Sequence, residues 1–190
     1  MNYVVTTAPA AEPITLAEAK AHLRVDDVAS DALITSLIVA ARNHAEKYLR
    51  RALVTQTIDV RYDYFKKAMY IPRPNLQSVT YLKYIDTDGA EQTLDASLYT
   101  VDIYSVPARV VPIYGEVWPN ARYQINAITM RIICGYGAAA AVPDAIKQAM
   151  YLHIGHMFEN REASMVGATI AEVPMGYDSL MATYRIPVFK

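Results

Sequence analysis

Between residues 31 and 51 the apolar positions follow a helical period. They recur at every third or fourth residue, which is the spacing of a wide apolar stripe on one face of an α-helix. The positions are 33, 34, 37, 38, 41, 45, 48 and 49. Asp31 stands at the start of this segment and Arg50 and Arg51 stand at its end, a polarity that the helix dipole favours. The pattern therefore predicts one long amphipathic helix.

A shorter helix is predicted just before the long one. Thr15 and Glu18 have the spacing of a capping box, in which the two side chains satisfy each other's free backbone donors. Leu16, Ala19 and Leu23 then recur at helical spacing. The two segments together predict an N-terminal helical hairpin.

After residue 55 the pattern changes from helical to alternating. Apolar residues alternate with polar ones, which predicts a half-buried β-strand. The apolar residues are Ile58, Val60, Tyr62 and Tyr64. Asp88 followed by Gly89 is a strong signal for a hairpin turn. Further strands are predicted at 69–72, 78–86, 90–94, 98–102, 108–114 and 126–137, which gives six or seven in all. Proline at 107, 112 and 119 predicts that the segments around 108–119 lie at a sheet edge or in a loop, since proline cannot donate to a ladder.

The end of the chain contains a third helix and an unusual tail. Pro143 and Asp144 are good helix start signals, and the apolar residues up to about 160 keep a helical period. Residues 163–190 are apolar and poor in charge, but they predict only one short helix, at about 177–185. An isolated helix of that length is marginal in water. The tail is therefore expected to dock either on its own core or on a partner subunit.

These elements predict an α+β protein. An N-terminal helical hairpin and a C-terminal helix form a helical bundle, an antiparallel β insertion lies between them, and an extended C-terminal tail carries a short helix. The predicted division is 1–54 for the N-terminal helical part, 55–137 for the β insertion, 138–162 for the third core helix and 163–190 for the tail.

Composition narrows the class of protein. Of the 190 residues, 53% are hydrophobic and 19% are charged, which is typical of a folded globular chain. The net charge of −1 argues against a protein whose main affinity is for phosphate backbones. Fifteen tyrosines against three phenylalanines suit surfaces that become buried on assembly, because tyrosine combines an apolar ring with a polar tip.

Three features of the sequence indicate the cellular compartment in which the chain is made. The single cysteine, Cys134, excludes an internal disulfide and fits a reducing compartment. We expect no membrane span, since no apolar run approaches about 20 residues. The first residues lack the pattern of a signal peptide, so cytoplasmic synthesis is expected.

An enzyme is the first alternative to a structural protein. His153 and His156 are three residues apart on one predicted helix, with Glu159 a further turn along, and two histidines so placed can hold zinc. No fourth ligand is evident, and this spacing is common by chance. We therefore interpret both histidines as helix-packing residues, and we predict no catalytic residues, no metal and no cofactor.

A DNA-binding module is the second alternative. The basic residues that could contact DNA are Arg42, Lys47, Arg50 and Arg51. They lie toward the end of the long predicted helix, where positive charge stabilises the helix itself. Given the neutral net charge, helix stabilisation is the preferred interpretation.

Five segments, taken in order, carry a resemblance to a known family. They are PITLAEAKAHLRVDD, LITSLIVAARNHAEKYLRRALVTQT, ARVVPIYGEVWP, VPDAIKQAMYLHIGHMFENRE and VPMGYDSLMATYRI. Together they resemble the head–tail connector (adaptor) proteins of tailed bacteriophages and prophages. The likeness covers most of the chain and is strongest in the N-terminal helices and in residues 143–162.

The resemblance implies a non-enzymatic component of the virion neck. Such proteins form a ring, usually of twelve subunits, that docks beneath the portal protein and continues the DNA channel toward the tail. A stopper or tail protein would lie below, and genomic DNA would pass through without sequence-specific binding. A head-completion stopper or a tail-terminator ring protein is the closest rival, because sequence separates these classes poorly.

The resemblance also suggests which residues make contacts. A ring joined head to tail needs two different complementary faces on each subunit. We expect the helices at 31–51 and 143–160 to supply them, and we expect the tail to dock on the portal. The predicted inter-subunit residues are Arg42, Lys47, Asn160, Arg161 and Glu162. The predicted portal-docking residues are Tyr177, Leu180, Met181, Tyr184, Arg185, Ile186, Val188 and Phe189.

Overall fold

The computed structural model describes residues 2–73, 75–160 and 175–186. They divide into two compact units. The described parts of 1–10 and 55–136 form a β unit, and those of 11–54 and 137–190 form a helical unit. Helices and antiparallel strands thus belong to different units, and the predicted α+β class is confirmed.

The helical unit contains the predicted hairpin and the third helix. Its described helices are α1 (Leu16–Leu23), α2 (Asp31–Leu49), α3 (Asp144–Glu159) and α4 (Met175–Ala182). The capping box at the start of α1 forms as predicted: the Thr15 hydroxyl accepts the Glu18 N–H, and the Glu18 carboxylate accepts the Thr15 N–H. Helix α3 packs against the other three. No helix within the described ranges is both long and apolar enough to span a bilayer.

The end of α2 is fixed by a residue in an unusual conformation and by a buried carboxylate. Arg50 follows the helix with a φ of 59°, in the left-handed region that glycine usually occupies. The Glu46 Oε1 atom accepts the N–H of Leu53 at 2.9 Å, and both residues are buried. The side chain of Glu46 thereby satisfies a backbone donor just beyond the helix.

The β unit contains two antiparallel sheets. The strands are β1 (Asn2–Thr7), β2 (Gln56–Tyr62), β3 (Met69–Tyr70), β4 (Leu76–Ile85), β5 (Glu91–Leu94), β6 (Tyr99–Asp102), β7 (Arg109–Pro112) and β8 (Ile128–Cys134). The larger sheet has the order β1-β2-β8-β4-β5, and the smaller has the order β3-β7-β6. Each strand pairs antiparallel with its neighbours.

The central strand of the larger sheet shows the alternation that the sequence predicts. Every second residue of β8 is buried, from Ile128 to Cys134. On β2 the alternation is interrupted, because Asp59 is buried as well as its apolar neighbours. The Asp59 carboxylate accepts two hydrogen bonds from the Arg131 guanidinium, at 2.7 and 2.8 Å, which offset the cost of burying its charge.

Three features of the β unit differ from the sequence prediction. Strand β1 was not predicted, and residues 2–10 lie with the sheet although 1–54 was assigned to the helical part. Tyr64 is exposed because β2 ends at Tyr62. Strand β7 is the central strand of its sheet in spite of Pro112. Proline is tolerated there because β3 pairs only with Arg109 and Val110, which leaves Pro112 with a single neighbouring strand.

Candidate interaction surfaces

The described part of the predicted docking tail packs on its own helical unit. Helix α4 contacts α3, and the side chains of Tyr177 and Met181 are almost completely buried, with 2% and 0% of their surface exposed. The Tyr177 hydroxyl lies 2.8 Å from Nδ1 of His44 on α2. Of the two docking modes that the sequence left open, the structure places this helix on its own core.

The residues after α4 are held to the end of α2. Nε of Arg51 donates to the Tyr184 carbonyl at 2.6 Å, and the N–H of Ile186 donates to the Leu49 carbonyl at 3.3 Å. The Arg185 guanidinium lies 4.9 Å from the centre of the Tyr48 ring. Of the predicted docking residues, Ile186 is buried, Leu180 and Tyr184 are half-buried, and Arg185 is exposed; Val188 and Phe189 lie outside the described residues.

His153 lies in an aromatic cluster between three helices. Its ring is 4.5 Å from the His44 ring and 5.5 Å from the Tyr177 ring, centroid to centroid. The residue is buried, and its Nδ1 atom has no hydrogen-bond partner among the described residues. Burial, with smaller contributions from the charges of His44 and His156, lowers the pKa of His153 to about 4. The cluster therefore favours an uncharged imidazole.

The structure does not assemble the HxxH pair into a metal site. His153 faces His44 and Tyr177, and His156 is half-buried. The carboxylate-bearing residue Glu159 is exposed at the end of α3. Within the ranges that the structure describes, no group of three or more His, Cys, Asp or Glu side chains is placed to hold a metal ion.

The predicted inter-subunit residues have different environments. Arg42 is engaged within its own unit, since its Nε donates to Glu12 at 2.7 Å and its Nη1 lies 3.5 Å from Glu46. Lys47 is exposed on α2. Asn160 is exposed after α3, and its amide donates to the His156 carbonyl. Arg161 and Glu162 lie outside the described residues.

A groove in the β unit was not predicted. Its volume is about 870 Å³, and its lining combines lysines and aromatic rings. Trp118 forms one wall; it stacks on Phe65 at 4.8 Å and donates its indole N–H to the Lys66 carbonyl. The residues that line it are Lys66, Lys67, Ala68, Tyr70, Arg109, Val111, Pro112, Ile113, Tyr114, Gly115, Glu116, Val117 and Trp118. Glu116 is the single carboxylate among them, so the groove offers no pair of acidic groups for general acid–base chemistry.

The loops of the β unit expose large apolar side chains. Tyr104, Tyr114 and Tyr123 are almost fully exposed, and Val117 and Ile125 are at least 80% exposed. Single exposed apolar residues are ordinary on a protein surface, but so many large ones in the loops of one unit are typical of surfaces that other proteins cover. The tyrosine-rich composition was the sequence signal for this surface.

Fold and surfaces together define a class of protein. The chain is an α+β protein whose described residues expose extensive apolar loop surface, and within those residues no cluster is placed to bind a metal. Residues 13–103 match the family model described as Phage gp6-like head-tail connector protein. The resemblance predicted from the sequence is therefore confirmed over these residues, which contain α1, α2 and β2 to β6.

Three solved structures contain chains of similar fold. A chain in the neck of the empty GTA particle, computed with C6 symmetry, is 22% identical with a TM-score of 0.81. A chain in the virion of the native gene transfer agent (GTA) particle is 21% identical with a TM-score of 0.81, and one in the neck of the native GTA particle, computed with C12 symmetry, is 21% identical with a TM-score of 0.75. Each comparison covers 100% of this chain and 98% of the other. At these identities the likeness establishes the fold. No curated protein sequence matches the chain.

Proposed function

We propose that this chain is a head–tail connector (adaptor) subunit in the neck of a tailed bacteriophage or a related particle. The observation that carries the proposal is the match of residues 13–103 to the head-tail connector family. The exposed apolar loops of the β unit support it, because they need a covering partner that the described chain does not supply. The chain acts as a structural protein and catalyses no reaction.

The subunits assemble into a ring, with twelve copies as the expected number. Support comes from the necks that contain chains of similar fold, which were computed with C6 and C12 symmetry. A closed ring uses a heterologous joint, in which one face of each subunit meets a different face of the next. Lys47 on α2 and Asn160 after α3 are exposed and available for this joint, whereas Arg42 stabilises the subunit itself.

The ring docks beneath the portal and continues the DNA channel toward a stopper or tail protein. The C-terminal tail supplies the portal contact through its last residues, Val188 and Phe189, and Tyr177 and Met181 hold helix α4 to the subunit. This division of roles follows from burial: a side chain enclosed by its own unit has no surface left for a partner. DNA passes through the ring without base-specific contacts, in keeping with the net charge of −1.

Truncation of the tail after Ile186 tests the portal contact without removing any buried side chain of α4. Removal of residues 187–190 is expected to abolish co-sedimentation of the full ring with the portal, while the melting temperature of the subunit stays unchanged. The matched control replaces the exposed Val28 of the helical unit by alanine, which leaves portal binding intact. Undiminished portal binding by the truncated chain would contradict the proposal.

A further inference from the structure

The two outermost strands of the five-stranded sheet leave their edges open. Strand β1 ends the sheet on one side and β5 ends it on the other. No strand in the described part of the chain pairs with the outer edge of either. The outer backbone N–H and C=O groups of an edge strand are a template for another strand.

Strand β1 lacks most of the features that natural proteins use to protect a sheet edge. Its sequence, NYVVTT, contains no charged residue and no proline, and its composition favours strands. Tyr3, Val4 and Val5 each keep 40% or more of their surface exposed. The Arg73 guanidinium lies 4.8 Å from the centre of the Tyr3 ring and donates to its hydroxyl, so it covers part of this side chain but not the backbone edge. One protective feature is present: the register with β2 shifts between Val5 and Thr7. The regular, unprotected part of the edge is therefore Asn2–Val5.

Strand β5 matches this edge in length and in direction. It has four residues, Glu91–Leu94, as does the regular part of β1. Four pairings of neighbouring strands lead across the sheet from β1 to β5, and all four are antiparallel. Each pairing reverses the strand direction, so after four reversals β5 runs in the same direction as β1. A second copy in the same orientation could therefore place its β5 beside β1 as a parallel pair.

We propose that the outer edge of β1, at Asn2–Val5, pairs with the outer edge of β5 of a second copy of this chain. The occupant is a second copy because one chain supplies both halves of the joint. The two edges differ, so the joint is heterologous, and its repetition covers both outer edges of the five-stranded sheet in every copy when the copies close into a ring. Closure into a ring rests on the proposed function, whereas the pairing itself rests on the two edges.

Cysteine cross-linking tests the pairing directly. Cysteine is introduced at one of residues 3–5 and one of residues 92–94, which gives nine double variants of the full chain. The native Cys134 is fully buried and does not interfere. Mild oxidation of at least one double variant is expected to give a ladder of covalent dimers, trimers and larger species, since paired strands bring Cα atoms within disulfide range. Absence of a ladder in all nine would overturn the proposal, and so would covalent dimers from a β1 single variant alone, which would indicate that β1 pairs with β1.

Edge-blocking lysines give an independent test. Val4→Lys protects β1 and Gln92→Lys protects β5, and both sites are exposed. Each variant alone is expected to associate about tenfold or more weakly than the native chain, while a mixture of the two recovers dimers, since one open edge of each kind remains. The matched control is Val28→Lys, at an exposed valine of the helical unit, and it leaves association unchanged.

The outcomes separate the pairing from the proposed function. If Val4→Lys forms rings as well as the native chain does, as seen by electron microscopy, and the cysteine double variants give no ladder, the edge pairing is overturned. The proposed connector ring is then unaffected. A ladder in a chain that never forms rings and never binds a portal would support the pairing and contradict the connector. A melting temperature for each variant near that of the native chain confirms that the comparison is between folded proteins.

Discussion

The hydroxyl oxygen of Tyr177 and Nδ1 of His44 lie 2.8 Å apart, although the two residues are 133 positions apart in the chain. This hydrogen bond joins α4 to α2, and the Tyr177 ring also contacts the rings of Tyr48 and His153. Burial is the largest cause of the raised pKa of the Tyr177 phenol, which therefore remains protonated and able to donate. The C-terminal helix is thus an integral part of the helical unit.

Replacement of Tyr177 is the first prediction. Tyr177→Ala removes a ring that is 2% exposed and leaves a cavity, so the free energy of unfolding is expected to fall by about 3–5 kcal/mol. Tyr177→Phe removes only the hydrogen bond and costs about 1 kcal/mol. Urea unfolding measures both, and hydrogen exchange should show loss of protection at Met175–Ala182. The control is Tyr114→Ala, at an exposed tyrosine of the β unit, which is expected to leave the free energy of unfolding unchanged. If Tyr177→Ala changed it as little, the packing of α4 would be contradicted.

The second prediction concerns pH. Since the pKa of His153 is about 4 in the folded chain and its ordinary value is 6.5, the unfolded chain binds an extra proton between these values. The free energy of unfolding therefore falls as the pH drops from 6.5 to 4 and levels off below it. With allowance for partial solvent screening, the His153 contribution to this loss is about 2 kcal/mol. Urea unfolding across this range checks the slope against His153→Gln, which should be flatter. Parallel profiles for the two chains would contradict the assignment.

The third prediction concerns the end of α2. Arg50 adopts a φ of 59°, which costs an L-residue free energy that glycine does not pay. Arg50→Gly is expected to raise the free energy of unfolding by about 1 kcal/mol. Arg24, at the end of α1, has a φ of 57°, and Arg24→Gly is the matched comparison with a similar gain. Thermal unfolding measures both. A loss of stability in both variants would show that the arginine side chains outweigh the backbone strain.

The fourth prediction concerns the buried carboxylate of Glu46. Glu46→Ala leaves the buried N–H of Leu53 without its acceptor, and the expected loss is about 2 kcal/mol in the free energy of unfolding. Glu46→Gln keeps an oxygen in place and is expected to lose less. Denaturant unfolding of the two variants, compared with the native chain, checks the order. Equal losses would indicate that charge, rather than the hydrogen bond to Leu53, is what Glu46 contributes.

The helices and most strands could be predicted from the sequence because their signals are local. The capping box at Thr15 and the helical period of α2 depend on residues within one element, and so does the alternation of β8. Strand β1 escaped prediction because both of its faces are exposed, so it has no alternation of apolar and polar residues. The burial of Asp59 escaped as well, since its partner Arg131 lies 72 residues away.

The candidate surfaces were harder to predict than the fold. An apolar helix face such as that of α4 indicates that something covers it, but not whether the cover is the same chain or another. Likewise, the basic side chain of Arg42 is equally compatible with a neighbouring subunit and with the carboxylate of Glu12, which it contacts in the structure. Tyrosine enrichment predicted a surface that becomes buried on assembly but not its position, and the structure locates the three most exposed tyrosines, Tyr104, Tyr114 and Tyr123, in the loops of the β unit.

In the proposed function, this chain assembles with copies of itself beneath a portal. Native mass spectrometry of the full-length chain mixed with the portal protein of the same particle tests it most directly, because the measurement counts the copies bound. The expected result is one complex in which a single portal ring carries twelve copies of the chain. A chain that remains monomeric and unbound at concentrations well above those of the portal would contradict the claim.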